Sequence, residues 1–177
     1  MKSLRDVDWR VLEWAKVAGW TWELRASEEL VARLRLTDPV TLTEAAAAEA
    51  AEGQWLLTLT GLMVRKLTVR EAAAPSDPPI MKAYRSLRHS WTFPRADGQA
   101  LRWQAPGLTS RDWICTDQDG KHLITVSLRS AVGEVAATGR VLLQEAAREV
   151  PGLSLAIVIG WYLLVVYRLD ASQFREG

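Results

Sequence analysis

At 177 residues and 19.8 kDa the chain is the size of one domain, and its 49% apolar and 24% charged residues provide a core and exclude disorder. Lys plus Arg numbers 22 against 21 Asp plus Glu, and a net charge of +1 argues against nucleic acid as a partner, because phosphate binding needs a clustered basic surplus. A single cysteine, Cys115, excludes a disulfide framework and a cysteine-based zinc site, and the lack of Asn excludes N-glycosylation. The preference for Arg over Lys and the abundant Ala read as the bias of a GC-rich bacterial genome.

The chain opens Met1-Lys2-Ser3-Leu4-Arg5-Asp6, charged rather than apolar, so no secretory signal and a cytoplasmic setting are expected. Trp9 to Trp14 gives a weak strand pattern. In Trp20 to Arg25 every second side chain is apolar, and Leu30, Ala32, Leu34 and Leu36 alternate with Val31, Arg33 and Arg35. That period of two predicts strands on either side of a turn at Ser27-Glu28-Glu29. Residues 41–51 are the ambiguous stretch, since Glu-Ala-Ala-Ala-Ala-Glu-Ala-Ala has the strongest helix propensity in the chain. Its position as the first arm of a hairpin decides for a strand, because tertiary context outweighs propensity.

Gly53, Gly98 and Gly120 each follow an acidic residue and precede a strand-like run, as hairpin turns do when glycine supplies a positive φ. A further turn signal, Pro75-Ser76-Asp77-Pro78-Pro79, falls midway between the first two, so turns recur about every 22 residues. Alternation continues through Trp55, Leu57 and Leu59, through Leu101 and Trp103, and through Trp113 and Cys115. It is found again in Ile124, Val126 and Leu128, in Val135, Ala137, Val141 and Leu143, and more weakly from Ile80 to Leu87. The arms add up to about 11–12 antiparallel strands over residues 8–145, and a sheet that long should close or split.

Pro151 suits the first turn of a helix, and residues 153–167 are apolar on every face, which predicts a helix over 151–168 and a short tail over 169–177. Sixteen helical residues span about 24 Å, and a seven-residue strand spans about 23 Å. A barrel of this many strands has room for a central helix. The expected fold is therefore mainly β: one domain, a hairpin meander closed into an antiparallel barrel around a C-terminal apolar α-helix.

Meandering hairpins with Asp-Gly turns, ending in Pro151-Gly152-Leu153-Ser154-Leu155-Ala156-Ile157-Val158-Ile159-Gly160-Trp161-Tyr162-Leu163-Leu164, resemble the tubby C-terminal-like superfamily. That superfamily includes tubby domains, phospholipid scramblases and LURP-one-related proteins. The pattern spans about residues 8–168 and is most similar to uncharacterised bacterial proteins with a like Gly-Trp-Tyr-Leu-Leu helix. The resemblance implies lipid or membrane association in some members and transfers no catalytic motif.

Chemistry is sparse. Gly152-Leu153-Ser154-Leu155-Ala156 mimics a nucleophile elbow, but neither His89 nor His122 follows Ser154, so a serine in the first turn of a buried helix is the expected reading. Asp117-Gln118-Asp119-Gly120 lacks the distal Glu of a calcium loop, with Val126 at that place, and reads as a turn. The two histidines lack zinc spacing, and Cys115 is expected to pack as a small apolar residue. No metal, cofactor or enzymatic activity is expected. Nine tryptophans (Trp9, Trp14, Trp20, Trp22, Trp55, Trp91, Trp103, Trp113 and Trp161) are expected mainly in the core, with some as candidates for a membrane-interface or ligand-facing rim.

Arg65, Lys66, Arg70, Lys82, Arg85 and Arg88 flank the proline-rich turn, and the first five are the candidate lipid-binding residues. Basic sites bind anionic head groups in tubby domains, and such a cluster on two adjacent strands has the same chemistry. The expected function is a non-enzymatic binding or scaffold protein, its partner an anionic phospholipid, a membrane surface or another protein. The alternative is a tail-anchored membrane protein with a cytoplasmic β domain and a transmembrane helix at 153–167, whose aliphatic content makes insertion affordable although it falls short of the usual span of about 20 residues.

Overall fold

The computed structural model describes residues 1–10, 12–38, 44–61, 65–85, 90–94, 98–105, 110–132 and 135–173. Twelve strands follow in chain order: β1 (Leu12–Ala18), β2 (Thr21–Ala26), β3 (Glu29–Asp38), β4 (Glu44–Ala50), β5 (Gly53–Thr60), β6 (Lys66–Glu71), β7 (Met81–Arg85), β8 (Ser90–Pro94), β9 (Ala100–Gln104), β10 (Asp112–Thr116), β11 (His122–Val132) and β12 (Val135–Leu143). Each pairs antiparallel with its neighbour in sequence, and β1 pairs with β12 through Leu12 opposite Val141 and Trp14 opposite Gly139, closing the barrel. Closure leaves no sheet edge open to another chain. A 3-10 turn at Leu4–Asp6 precedes the barrel, and a second at Glu145–Glu149 leads into the helix α1 (Leu153–Gln173).

The alanine-rich segment is a strand. β4 lies between β3 and β5, in unbroken register with β5 and with one shift against β3 at Leu36/Asp38; Arg33 stands opposite Glu49 and Ala46 opposite Leu57, so both backbone ladders hold what propensity would wind into a helix. Its inward residues, Ala46 and Ala48, are buried. Four details differ from the sequence reading. Gly53 opens β5 without a positive φ, and the turn is Ala51-Glu52; a Cβ at Gly53 would lie 3.2 Å from the Trp55 ring that covers it. A register shift at Leu24/Arg25 turns Val31 inward and fully buries it. Shifts around Ser130 likewise turn Ala136, rather than Ala137, inward, while Val141 and Leu143 keep the expected face. Pro151 sits ahead of the helix, where Gly152, at φ +72, turns the chain into α1, and the helix runs on to Gln173. Gly98 and Gly120 take the positive φ their turns require.

Every residue of α1 from Ser154 to Val166 is buried, and the helix touches β3, β4, β10, β11 and β12 on different sides of the barrel. It therefore runs through the lumen. That buried run is about 20 Å long, close to the height of a strand of six residues. Two glycine–tryptophan contacts set its depth and rotation. Gly139 on β12 leaves the space occupied by Trp161, whose ring stacks on Trp14 with centroids 5.6 Å apart and planes 6° from parallel. Gly160 on the helix leaves the space occupied by Trp103 from β9. No helix is long and apolar enough to cross a membrane among the described residues.

Gly160→Ala should test the second contact. Alanine favours a helix over glycine by about 1 kcal/mol, yet its Cβ would overlap the Trp103 ring, and overpacking costs roughly 1–3 kcal/mol. We expect a lower urea midpoint, partly restored by adding Trp103→Phe; a raised midpoint would mean that the helix is not pressed against β9. Deleting residues 151–177 should leave an insoluble barrel with an empty apolar lumen. A monomeric, cooperatively folded fragment 1–150 would instead favour the membrane-tail alternative.

Candidate functional site

The strand period of two divides the five candidate basic residues between two places. Leu67 and Val69 are fully buried, so Lys66, Thr68 and Arg70 stand on the outer face of β6. Ala83 is buried, so Lys82 and Tyr84 stand on the outer face of β7. Tyr84 lies opposite Lys66, and Lys82 opposite Thr68, which brings three cations and one phenol ring onto one patch of the wall. The Lys66 ammonium sits 5.9 Å from the Tyr84 ring centre. Tyr84 is 55% exposed and Ile80, at the end of the proline-rich turn, 50%. None of Lys66, Arg70 and Lys82 has an ion pair among the described residues.

Arg65 and Arg85 have the inward parity. The Arg85 amide donates to the Arg65 carbonyl at 3.1 Å, and both residues reach the barrel mouth beside Trp91, Trp113 and Tyr167 of α1. They belong to the seal around the C-terminal part of the helix, where cations also suit its dipole. Arg88 and His89 lie outside the described residues.

The opposite mouth, where α1 begins, contains a cavity of about 450 Å³. Its apolar lining comes from Leu4, Val7, Trp9, Leu143, Val150 and Leu153, and its charged groups are Arg5, Arg148 and Glu52. The Arg148 guanidinium lies 4.3 Å from the centre of the Trp9 ring. Neither arginine has an ion pair among the described residues. Sequence reasoning missed this site, because its residues come from both ends of the chain and carry no local motif. Of the nine tryptophans, Trp9 and Trp20 alone are only partly buried, and each lies under a cation, Arg148 or Lys16.

A third concavity, on the wall over β3 to β5, is lined by Arg33, Arg35, Ala47, Glu49, Gln54 and Trp55, among others. Here all the charge but that of Arg35 is internally compensated: Glu23, although on the outer face, is 7% exposed and bonds Arg25 at 2.7 Å and Arg33 at 2.8 Å, while Arg33 also bonds Glu49 at 2.9 Å. The hydrogen bonds from Arg33 and Arg25 hold the Glu23 carboxyl below the ordinary glutamate range.

The remaining groups are occupied by structure. Asp117 Oδ1 accepts from the Asp119 and Lys121 amides at 3.0 and 2.8 Å, forming the β10–β11 turn. Cys115 is fully buried, and burial, with the nearby Asp117 charge, pushes its thiol up to about 12, so it stays protonated at neutral pH. Ser154 is 1% exposed and its Oγ has no hydrogen-bond partner among the described residues. His122 Nε2 bonds the Thr125 hydroxyl at 2.8 Å, and no three His, Cys, Asp or Glu residues converge on a metal-sized site among the described residues. No known protein family, curated protein or solved structure matches the chain.

Because its carboxyl is held low, Glu23 contributes stability that is present above the unfolded carboxyl's range and is lost as pH falls through the lowered value. Glu23→Gln should therefore cost about 1 kcal/mol at pH 7, the partners being two-fifths exposed, and much less in acid. Chemical denaturation at both pH values checks this, and equal losses would place the effect in packing rather than charge.

Proposed function

We propose that the protein is a non-enzymatic binding module that associates with anionic lipid surfaces through the outer wall of β6 and β7. The observation that carries this reading is the convergence on one outer face of the half-buried Lys66 and Arg70 with the exposed Lys82, Tyr84 and Ile80. Cations near an anionic leaflet contribute about 1 kcal/mol each, so three give weak, reversible attachment. A tyrosine ring is favoured at the headgroup level, and the exposed aliphatic side chain of Ile80, four residues back along the chain, adds apolar surface. Support also comes from the resemblance to the tubby C-terminal-like superfamily, for which twelve antiparallel strands around an apolar C-terminal helix is the implied arrangement. A cytoplasmic setting and a bacterial source belong to the same reading. Within it, Arg65 and Arg85 brace the mouth rather than face the lipid.

Flotation with vesicles tests the proposal. The full chain should be recovered with phosphatidylcholine vesicles containing roughly 30% phosphatidylserine and not with phosphatidylcholine alone. Recovery should fall steeply with salt, since exposed charges are screened within about 8 Å at physiological ionic strength. Lys66→Glu with Lys82→Glu should reduce it at least tenfold while leaving the melting temperature unchanged, because both side chains lie on the outer wall. Equal recovery on the two vesicle types, or no response to the double reversal, would overturn the lipid reading and leave a protein partner as the alternative for this surface.

A further inference from the structure

We propose that the cavity at the N-terminal end of α1 is a second binding site, specific for a medium-length acyl chain ending in a carboxylate. A volume of about 450 Å³ lies within the ~300–1,000 Å³ range of small-molecule sites. At a water's share of about 30 Å³ it holds roughly fifteen non-hydrogen atoms, the size of a dodecanoate rather than of a phospholipid. The ligand's chemistry follows from the lining. Leu4, Val7, Leu143, Val150 and Leu153 offer hydrogen-bonding side chains to nothing, so the body of the ligand is apolar.

The charged groups specify its end. Arg148 lies over Trp9, its guanidinium carbon 4.3 Å from the ring centre, and the planar fork of N–H donors that a guanidinium carries matches a carboxylate. Arg5 adds a second guanidinium without an ion pair among the described residues. Glu52 shares the lining, so the cavity tolerates one negative charge and disfavours the several of a phosphoinositide headgroup. The start of α1, at Gly152 and Leu153, also borders the cavity and places the positive end of the helix dipole there. The two arginines come from the 3-10 turns that precede and follow the barrel in the chain, Leu4–Asp6 and Glu145–Glu149, so a bound carboxylate would bridge two segments that make no ion pair with each other among the described residues.

Calorimetric titration of the full chain with sodium dodecanoate, below its micelle concentration, tests the site against dodecanol as the uncharged comparison. Saturable one-to-one binding of dodecanoate, at least tenfold tighter than dodecanol, is expected. Arg148→Gln and Arg5→Gln, both at exposed positions, should each weaken dodecanoate about tenfold and leave dodecanol unchanged. Val150→Trp should fill the cavity and abolish both, with the melting transition retained as the check on folding. Lys66→Glu with Lys82→Glu, which removes lipid attachment, should leave dodecanoate binding intact, so the two sites fail independently. Equal affinity for acid and alcohol, indifference to both arginine substitutions, or saturable binding that survives in folded Val150→Trp protein would each overturn the proposal.

Discussion

A closed barrel of twelve strands has a lumen wider than its own inward side chains can fill, and everything else in this protein answers to that constraint. Its own helix fills the space. Because the wall surrounds α1 on all sides, the helix can present no polar face, and its buried run carries one hydroxyl, Ser154, one phenol, Tyr162, and one indole, Trp161, among aliphatic residues. Close packing then requires that bulk on one surface meet a gap on the other. Gly139 opposite Trp161 and Gly160 opposite Trp103 meet that requirement at two consecutive positions of the helix. The alanines of β4 do so more diffusely, keeping the wall thin where the helix passes.

The filled lumen also decides where binding can occur. Lipocalin-like use of the interior is closed off, since the space a ligand would occupy holds Trp161, Tyr162 and their neighbours, all buried. Only the outer wall and the two mouths remain. One mouth is sealed by Trp91, Trp113, Arg65 and Arg85 around the helix, with a residual cavity of about 20 Å³. The other, where the chain must turn through Gly152 to enter the barrel, cannot be sealed as closely and retains the larger space. The asymmetry between the mouths is thus a consequence of the helix entering at one of them.

The meander was legible in the sequence because each hairpin announces itself locally: alternation on both arms and a turn residue between them. β4 was legible only through its neighbours, since its own alanines favour a helix. What local pattern could not show was the bulges. A register shift swaps which of two adjacent residues points inward, so Val31 and Ala136 were assigned to the wrong face by counting in twos. The candidate site suffered differently. Arg65 and Lys66 are consecutive in an extended segment and must point to opposite faces; the same parity separates Lys82 from Arg85. The split was therefore available in the sequence, once proximity along the chain was weighed against strand geometry. The mouth cavity was not, because Arg5, Glu52 and Arg148 converge only when the barrel has closed.

A net charge of +1 conceals strong local differences. On the wall over β2 to β4, Glu23 and Glu49 are interleaved with Arg25 and Arg33 in a bonded ladder, so that surface has little field to offer a ligand. Two to three strands further round, Lys66, Arg70 and Lys82 stand without ion pairs among the described residues, beside an exposed tyrosine. The arginines of the first wall exceed the cations of the second in hydrogen bonding, but they are spent internally, and exposed pairs of that kind contribute modestly even to stability. Charge composition alone, which argued against nucleic acid, says nothing about this segregation. Strand register does: an acidic residue directly opposite a basic one neutralises it, as Glu49 does Arg33, whereas Lys66 and Lys82 lie opposite Tyr84 and Thr68. The pairing partners across the wall, rather than the count of charges, leave the cations of β6 and β7 with no acidic residue directly opposite.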